Sequence, residues 1–254
     1  MHSKPKFLTA ICLGGVFALA SCGQSAPKST GDASADSSAA PVETKAANSP
    51  DYKPAFPGQT RIAGVKTAMA YEGKVLTSDL KNPWGITTLP DGRFLITQKK
   101  GTMRIVTPDG KVSDSITGLP AVNSAGQGGL LGLRVDPDFA SNRTVYWVFS
   151  ENLPEGNLTA VAKGKLSVDE KKIEGATVIY RATPAYKGTL HYGGRILVDK
   201  SGNLVISTGE RSDLETRPQA QDLKSGLGKV IRITKEGQPA PGNPFEGKAD
   251  ARPE

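Results

Sequence analysis

Residues Gly194 to Thr208 read Gly-Arg-Ile-Leu-Val-Asp-Lys-Ser-Gly-Asn-Leu-Val-Ile-Ser-Thr, and this stretch decides the class of fold. Its two apolar runs, Ile196–Val198 and Leu204–Ile206, flank an Asp-Lys-Ser-Gly-Asn segment. Short runs rich in Val and Ile, joined by Asp, Gly and Asn, are typical of two antiparallel strands and their turn. The stretch therefore predicts a β-hairpin.

Two earlier stretches follow the same pattern. In one, Gly85–Leu89 is followed by Pro-Asp-Gly and then by Arg93–Thr97. In the other, Gly132–Val135 leads through Asp-Pro-Asp to Thr144–Phe149. The three initial glycines recur close to the period of roughly 40 to 50 residues that β-propeller blades show, with one longer unit. The repeat therefore predicts a β-propeller.

The rest of the chain agrees with an all-β fold. Its 29 glycines and 18 prolines suit short strands joined by tight turns, and no amphipathic helix is needed. Further strands are predicted at Thr102–Thr107, Leu158–Leu166, Thr177–Ala182 and Lys229–Thr234. A β-sandwich is the structural rival, but sandwiches rarely show so long a repeat. At about 45 to 50 residues per blade, residues 57–254 provide about four blades, and we expect them to be part of a larger propeller.

Composition limits the possible partners. The 254 residues are 37% hydrophobic and 22% charged, as in ordinary soluble globular proteins. The net charge of +7 is mild, and no Lys/Arg run is longer than a pair, which argues against nucleic acid as a partner. The two cysteines are Cys12 and Cys22. Residues 23–254 can therefore form no disulfide and no cysteine metal site.

Residues 1–21 are predicted to be an export signal. Lys4 and Lys6 precede an apolar stretch at residues 7–20 that is too short for a permanent membrane helix. The segment Leu19-Ala20-Ser21-Cys22-Gly23 resembles the lipobox of bacterial lipoproteins. Cys22 is therefore the predicted lipidation site, with a non-lipidated secretory signal as the alternative.

Residues 22–56 are predicted to be the lipidated cysteine and a flexible tether. Ala, Ser, Thr, Pro, Lys and Asp dominate this segment, and it has too few large apolar residues to form a core. Residues 57–254 are the predicted partial propeller. We expect an exported lipoprotein that faces the periplasm or the cell surface and contacts the membrane through its N-terminal lipid only.

His191 is the first candidate for chemistry. Apart from His2 in the predicted signal peptide, it is the only histidine, and imidazole is the side chain best suited to proton transfer near neutral pH. A lone histidine is more often structural, but this one precedes a strand that begins a blade, where propellers bind ligands. Gln127 lies in a glycine-rich segment that predicts close backbone approach. Its amide either contacts a polyhydroxylated ligand or satisfies a turn.

Other chemistries find less support in the residues. The glycine-rich segment lacks the third glycine and the helix of a dinucleotide site. There is no Gly-x-Ser-x-Gly motif, and a metal-dependent hydrolase usually needs more histidines. A carboxylate pair for glycoside hydrolysis stays possible, because sequence does not fix the distances between Asp199, Glu210, Asp213 and Asp222. The loop that holds Glu210 and Asp213 is expected to be solvated, with ligand contact as the alternative.

Five motifs in sequence order carry a family resemblance. They are Gly126-Gln127-Gly128-Gly129-Leu130-Leu131-Gly132, His191-Tyr192-Gly193-Gly194-Arg195, Arg217-Pro218-Gln219-Ala220-Gln221-Asp222-Leu223, Gly228-Lys229-Val230-Ile231-Arg232 and Pro241-Gly242-Asn243-Pro244-Phe245. Together they resemble the soluble-type glucose/sorbosone dehydrogenase family, and within it the periplasmic aldose sugar dehydrogenases. The resemblance runs from about Val75 to Phe245.

The resemblance implies a six-bladed propeller that binds pyrroloquinoline quinone (PQQ) and calcium ions. It implies oxidation of the C1 hydroxyl of an aldose to the lactone, with electrons passed to an acceptor that the sequence does not identify. His191 matches the general base, which takes the hydroxyl proton while hydride passes from C1 to C5 of the quinone. Gln127 matches a glutamine that contacts sugar or cofactor.

Two departures from the family pattern matter. Leu190 stands where the glucose dehydrogenase branch has an acid, which favours broad aldose use. The family's calcium ligands and most of its cofactor contacts follow the Asn-Pro-Phe motif, so we expect no metal ligand in this chain and weak cofactor binding by it alone. Two other functions stay open: a non-catalytic propeller lipoprotein that binds glycans or proteins, and a lactonase-type hydrolase.

Overall fold

The computed structural model describes residues 40–46, 49, 51, 53–56, 63–65 and 69–254. The chain divides into two compact units, Met1–Glu72 and Gly73–Glu254. In the first unit, the described residues include an antiparallel bridge between Pro41 and Ala63. Cys22, the predicted signal peptide and much of the predicted tether lie outside the described residues. No helix in the described ranges is long and apolar enough to cross a membrane.

Ten strands form three antiparallel sheets in the second unit. The sheets have the strand orders β1-β2-β3, β4-β5-β6-β7 and β10-β9-β8. A short helix α1, Phe139–Asn142, and one 3-10 turn, Arg217–Ala220, lie in the connections. The strands are β1 Pro83–Thr88, β2 Phe94–Gln98, β3 Thr102–Val106, β4 Leu130–Val135, β5 Thr144–Leu153, β6 Gly156–Leu166, β7 Ile173–Arg181, β8 Gly193–Val198, β9 Leu204–Thr208 and β10 Val230–Ile233.

Each predicted hairpin forms, and the quoted stretch shows the reason. The Asp199 carboxylate accepts hydrogen bonds from the backbone N–H groups of Ser201 and Asn203, at 2.8 and 2.9 Å. Gly202 takes a φ of 83°, which favours glycine. The turn chemistry thus reverses the chain between β8 and β9. Arg232 on β10 then donates to Asp199 at 2.7 Å and connects the turn to the next strand.

The initial glycines of the three repeats lie where the first strands of the sheets approach each other. A Cβ on Gly85 of β1 would lie 2.8 Å from the carbonyl oxygen of Leu131 on β4. A Cβ on Gly132 of β4 would overlap the carbonyl oxygen of Gly194 on β8. Glycine is therefore required for β1, β4 and β8 to pack side by side. This confirms the close backbone approach predicted from the glycine-rich segment.

The core lies between successive sheets, and β5 shows how. Its side chains alternate in direction, as strand geometry requires. Trp147 and Phe149 pack into an apolar cluster with the first sheet, whereas Tyr146 and Val148 pack into a second cluster with the third sheet. The middle sheet is therefore buried on both faces, as expected for a blade that needs neighbours on each side.

Asp136, directly after β4, ties the second sheet to the third. Its carboxylate accepts from Tyr146 Oη at 2.8 Å and pairs with Lys235 Nζ at 2.7 Å. The side chain is only 2% exposed. Burial alone would raise the pKa of Asp136, but the bonds from Lys235, from the backbone N–H of Asp138 and from Tyr146 outweigh it and lower the pKa to about 2.

The described residues contain three sheets, one fewer than the four blades expected from residue counting. The long strands β5 and β6, with 10 and 11 residues, use more chain than an average blade strand. The segments between the sheets are also long, because residues 107–129 and 182–192 include no strand. These lengths explain why residues counted at about 45 to 50 per blade form three sheets.

Candidate active site

The connection from β7 to β8 places His191 at the edge of an open cleft. His191 has a φ of 45°, an uncommon value for a residue with a side chain. Gly193 and Gly194 follow with φ values of 73° and 103°. Gly209, just after β9, packs against the same turn, where a Cβ would overlap the carbonyl oxygen of His191. Glycines on both sides thus give the histidine backbone the space that its conformation needs.

Glu210 orients the imidazole. Its Oε1 lies 2.7 Å from His191 Nδ1 and also accepts the backbone N–H of Ser212 at 3.1 Å. The hydrogen bond with His191 lowers the pKa of Glu210, although burial opposes the shift. An ionised carboxylate can only accept, so Nδ1 carries the hydrogen of the neutral ring and Nε2 keeps its lone pair. Within the described residues, Nε2 has no hydrogen-bond partner. The pair therefore presents a basic nitrogen.

Gln127 contacts His191 directly. Its side-chain Oε1 accepts the backbone N–H of His191 at 2.9 Å, and its own backbone N–H donates to the carbonyl of Thr189 at 2.8 Å. Among the described residues, the side-chain NH₂ group has no hydrogen-bond partner, and Gln127 lines the cleft. Gln127 thus satisfies the backbone of the histidine turn, and its contact with a ligand stays a prediction.

The cleft has a volume of about 390 Å3 and is lined by Trp84, Lys99, Gln127, His191, Tyr192 and Gly193. Trp84 on β1 is 40% exposed, and the guanidinium of Arg195 lies 5.6 Å from its ring centroid. Lys99 Nζ donates to the carbonyl of Gly126 at 2.6 Å. The cleft therefore combines an imidazole, an aromatic surface and the Lys99 ammonium, and Arg195 lies beside the aromatic ring. Trp84 is not among the residues predicted above, although its position directly before the first repeat glycine, Gly85, is a signal in the sequence.

A buried arginine lies behind the histidine. Arg211 is 0% exposed, which departs at this one position from the expected solvated loop, whereas Asp213 in the same loop is exposed. Its guanidinium donates to the carbonyls of Leu190, Gly188 and Asn157 and to the Asn157 side chain. No local pattern signals this burial, because the acceptors come from distant positions in the sequence.

The other acids considered for a carboxylate pair have separate partners. Asp199 pairs with Arg232, Asp213 accepts from Tyr186 at 2.8 Å, and Asp222 accepts the backbone N–H of Lys224. Glu210 is the one of these four that contacts His191. In the described part of the chain, no group of three or more His, Cys, Asp or Glu is arranged to hold a metal ion.

Comparison with known proteins identifies the family. Residues 80–254 match the Glucose / Sorbosone dehydrogenase family. The chain belongs to this family. It is 37% identical to the aldose sugar dehydrogenase YliI of Escherichia coli over 183 residues, which are 71% of this chain and 48% of that protein. The chain thus spans about half the length of this family member.

Solved structures of family members agree with this family assignment. The apo form of the soluble aldose sugar dehydrogenase of Escherichia coli superimposes with a TM-score of 0.67 at 36% identity, over 71% of this chain and 52% of that one. The PQQ-bound aldose sugar dehydrogenase of Streptomyces coelicolor has a TM-score of 0.60 at 32% identity, over 68% and 51% of the two chains. These similarities confirm the all-β propeller class and the family resemblance predicted from the sequence.

Proposed function

We propose that this chain contributes the proton-accepting half of an aldose dehydrogenase site, which oxidises the C1 hydroxyl of an aldose to the lactone. The observation that carries the proposal is the His191–Glu210 pair, with Nδ1 and Oε1 2.7 Å apart at the edge of an open cleft. Family membership and the aldose dehydrogenases among the similar proteins support the substrate class.

Oxidation of the C1 hydroxyl to the lactone removes a proton from the hydroxyl oxygen and a hydride from C1. His191 Nε2 takes the hydroxyl proton, because Glu210 keeps the other ring nitrogen protonated and stabilises the imidazolium that forms. Gln127 holds the histidine backbone, and its free NH₂ group donates to a sugar or cofactor oxygen. PQQ, when bound, supplies the acceptor for the hydride.

The cleft suits a planar, polyanionic cofactor such as PQQ, which carries three carboxylates. The exposed Trp84 ring offers a flat surface for stacking. Lys99 lines the cleft, and Arg195 adds a second positive charge beside the Trp84 ring. One family structure contains PQQ, which supports the choice of cofactor. The described residues contain no group of three or more His, Cys, Asp or Glu arranged to hold a calcium ion, and we derive no step through calcium.

Leu190 supports a broad aldose specificity. Its side chain precedes His191 and is 42% exposed, so it offers no charged acceptor to one particular sugar hydroxyl. A hydrophobic contact discriminates poorly among sugars that differ only in hydroxyl configuration. We therefore propose that several aldoses are oxidised with similar kcat/KM values.

We also propose that the protein is an exported lipoprotein, attached to a membrane through Cys22. The support is the lipobox-like sequence directly after an apolar segment. A flexible tether at residues 22–56 would hold the enzyme domain away from the lipid surface.

The test is reduction of a redox dye by the full-length protein with PQQ, calcium and a panel of aldoses. We expect aldose-dependent reduction that requires PQQ. Absence of turnover with every aldose would overturn the enzyme proposal. If glycan binding persists without turnover and is the same in His191→Gln, the protein is a binding propeller instead. Hydrolysis of a lactone without any electron acceptor would identify the hydrolase alternative.

A further inference from the structure

Arg211 is an unusual buried cation. It is fully buried, yet it forms no ion pair with any residue that the structure describes. Buried arginines are normally paired with a carboxylate, because an uncompensated charge in the interior is unfavourable. Burial lowers the pKa of Arg211, but a guanidinium stays charged near neutral pH. Some other interaction must therefore compensate for its burial.

The compensation comes from oxygen acceptors and one aromatic face. Nε donates to the carbonyl of Leu190 at 3.0 Å, and the two terminal nitrogens donate to Asn157 O at 3.0 Å, Asn157 Oδ1 at 2.7 Å and the carbonyl of Gly188. The guanidinium carbon lies 4.0 Å from the ring centroid of Tyr192. Tyr192 Oη in turn donates to Asn157 Oδ1 at 2.6 Å.

These contacts surround His191 in the sequence and in space. Arg211 holds Leu190 by its carbonyl and Tyr192 by its ring, and its own backbone N–H donates to the carbonyl of His191 at 3.2 Å. Both His191 and Arg211 have positive φ values, 45° and 73°. Such conformations persist only where the surroundings enforce them. The arginine side chain is the part of the surroundings that touches both neighbours of the histidine.

We propose that Arg211 is a positioning residue that fixes the His191 turn, so that Nδ1 meets Glu210 and Nε2 stays free. The role of His191 as a base rests on the proposed function, whereas the positioning itself does not. The planar fork of arginine supplies five N–H donors in fixed directions. Lysine keeps the charge but cannot reach three separate acceptors in this geometry. The fork, more than the charge, is therefore the feature that holds the turn.

Imidazole nitrogen NMR tests the proposal directly, because the sequence contains only two histidines. In a His2→Gln background, His191 gives the one set of ring signals. At a pH where the ring is neutral, we expect the Nδ1–H tautomer to exceed the Nε2–H tautomer by at least about tenfold, owing to the charge-assisted bond to Glu210. Arg211→Lys is expected to reduce this ratio about tenfold or more.

Arg143→Lys is the matched control. Arg143 also donates to two backbone carbonyls, those of Leu166 and Ser167 at 2.8 and 2.9 Å, but none of its contacts belongs to the His191 turn. It should lose some thermal stability and keep the tautomer ratio. A folded Arg211→Lys variant that keeps the wild-type ratio would overturn the proposal, since a purely structural role lowers Tm alone.

A second variant covers the case in which Arg211→Lys does not fold. Asn157→Ala removes one acceptor of Arg211 and the partner of Tyr192 Oη, and it should reduce the ratio several-fold. An unchanged ratio in folded Asn157→Ala would likewise contradict the proposal. The measurement uses neither sugar nor cofactor. A failure of the proposed sugar oxidation is therefore distinguishable from a failure of the positioning role.

Discussion

Glu210→Gln is the substitution that best isolates the function of the histidine pair. Gln has nearly the same shape as Glu and can still accept the Nδ1–H bond of His191 through its amide oxygen. What it removes is the negative charge, 2.7 Å from the ring nitrogen in the native protein. It also allows the amide NH₂ group to face Nδ1, which would favour the tautomer that has no free Nε2.

The size of the effect follows from the geometry. A hydrogen bond to a charged group contributes about 1.5–3 kcal/mol, against about 0.5–1.5 kcal/mol for a neutral one. The carboxylate is partly exposed, at 26%, so solvent reduces the difference to about 1–2 kcal/mol. Because the imidazolium forms only as the proton is transferred, this loss applies to the transition state. We therefore expect kcat to fall about 5- to 30-fold with little change in KM.

The assay is steady-state dye reduction by the PQQ-loaded, full-length protein. Asp213→Asn is the matched control, because Asp213 lies in the same loop and binds Tyr186 instead of His191. Its kcat should stay within about twofold of the native value. If Glu210→Gln keeps the native kcat, or if Asp213→Asn lowers kcat equally, the carboxylate does not act through the histidine and the reasoning is wrong.

Three further predictions concern the cleft, the fold and the anchor. Trp84→Ala should weaken PQQ binding in the cleft by about 1 kcal/mol, which titration with PQQ would detect as a Kd about fivefold higher. An unchanged Kd would exclude stacking of PQQ on the Trp84 ring. Asp136→Asn should destabilise the fold by about 2 kcal/mol at neutral pH in urea unfolding. Because the folded pKa of Asp136 is about 2, below its unfolded value, this difference should shrink as pH falls from about 4 to 2, and a constant difference would disprove the assignment. Cys22→Ser should release the protein from the membrane fraction and abolish labelling by radioactive palmitate, whereas persistent labelling would place the lipid elsewhere.

The strands were predictable because their signals are local. Turns such as the one at Asp199 and Gly202 satisfy their own backbone within five residues, and alternation of apolar residues then fixes the strand faces. The close packing at Gly85 and Gly132 could also be predicted, because a close approach of two backbones leaves no space for a side chain. The number of blades was less predictable, because loop and strand lengths vary without a signature that sequence counting can detect.

The site was only partly predictable. His191 stood out because histidine is rare in this chain, and Gln127 because of its glycine neighbours. The partnership with Glu210, in contrast, depends on how β8 and β9 bring their ends together. The burial of Arg211 depends on acceptors at Asn157 and Gly188, which only the folded chain assembles. Charged residues in a loop are predicted to be exposed to solvent unless such distant partners are known.

The most direct test of the central claim is the turnover of His191→Gln in the PQQ-loaded, full-length protein, with PQQ binding followed separately by its absorbance. If Nε2 of His191 is the base, the variant should bind PQQ normally and lose turnover by about 100-fold or more at every aldose. A His191→Gln protein that binds PQQ and oxidises aldoses at the native rate would show that the proton goes elsewhere, and would contradict the account.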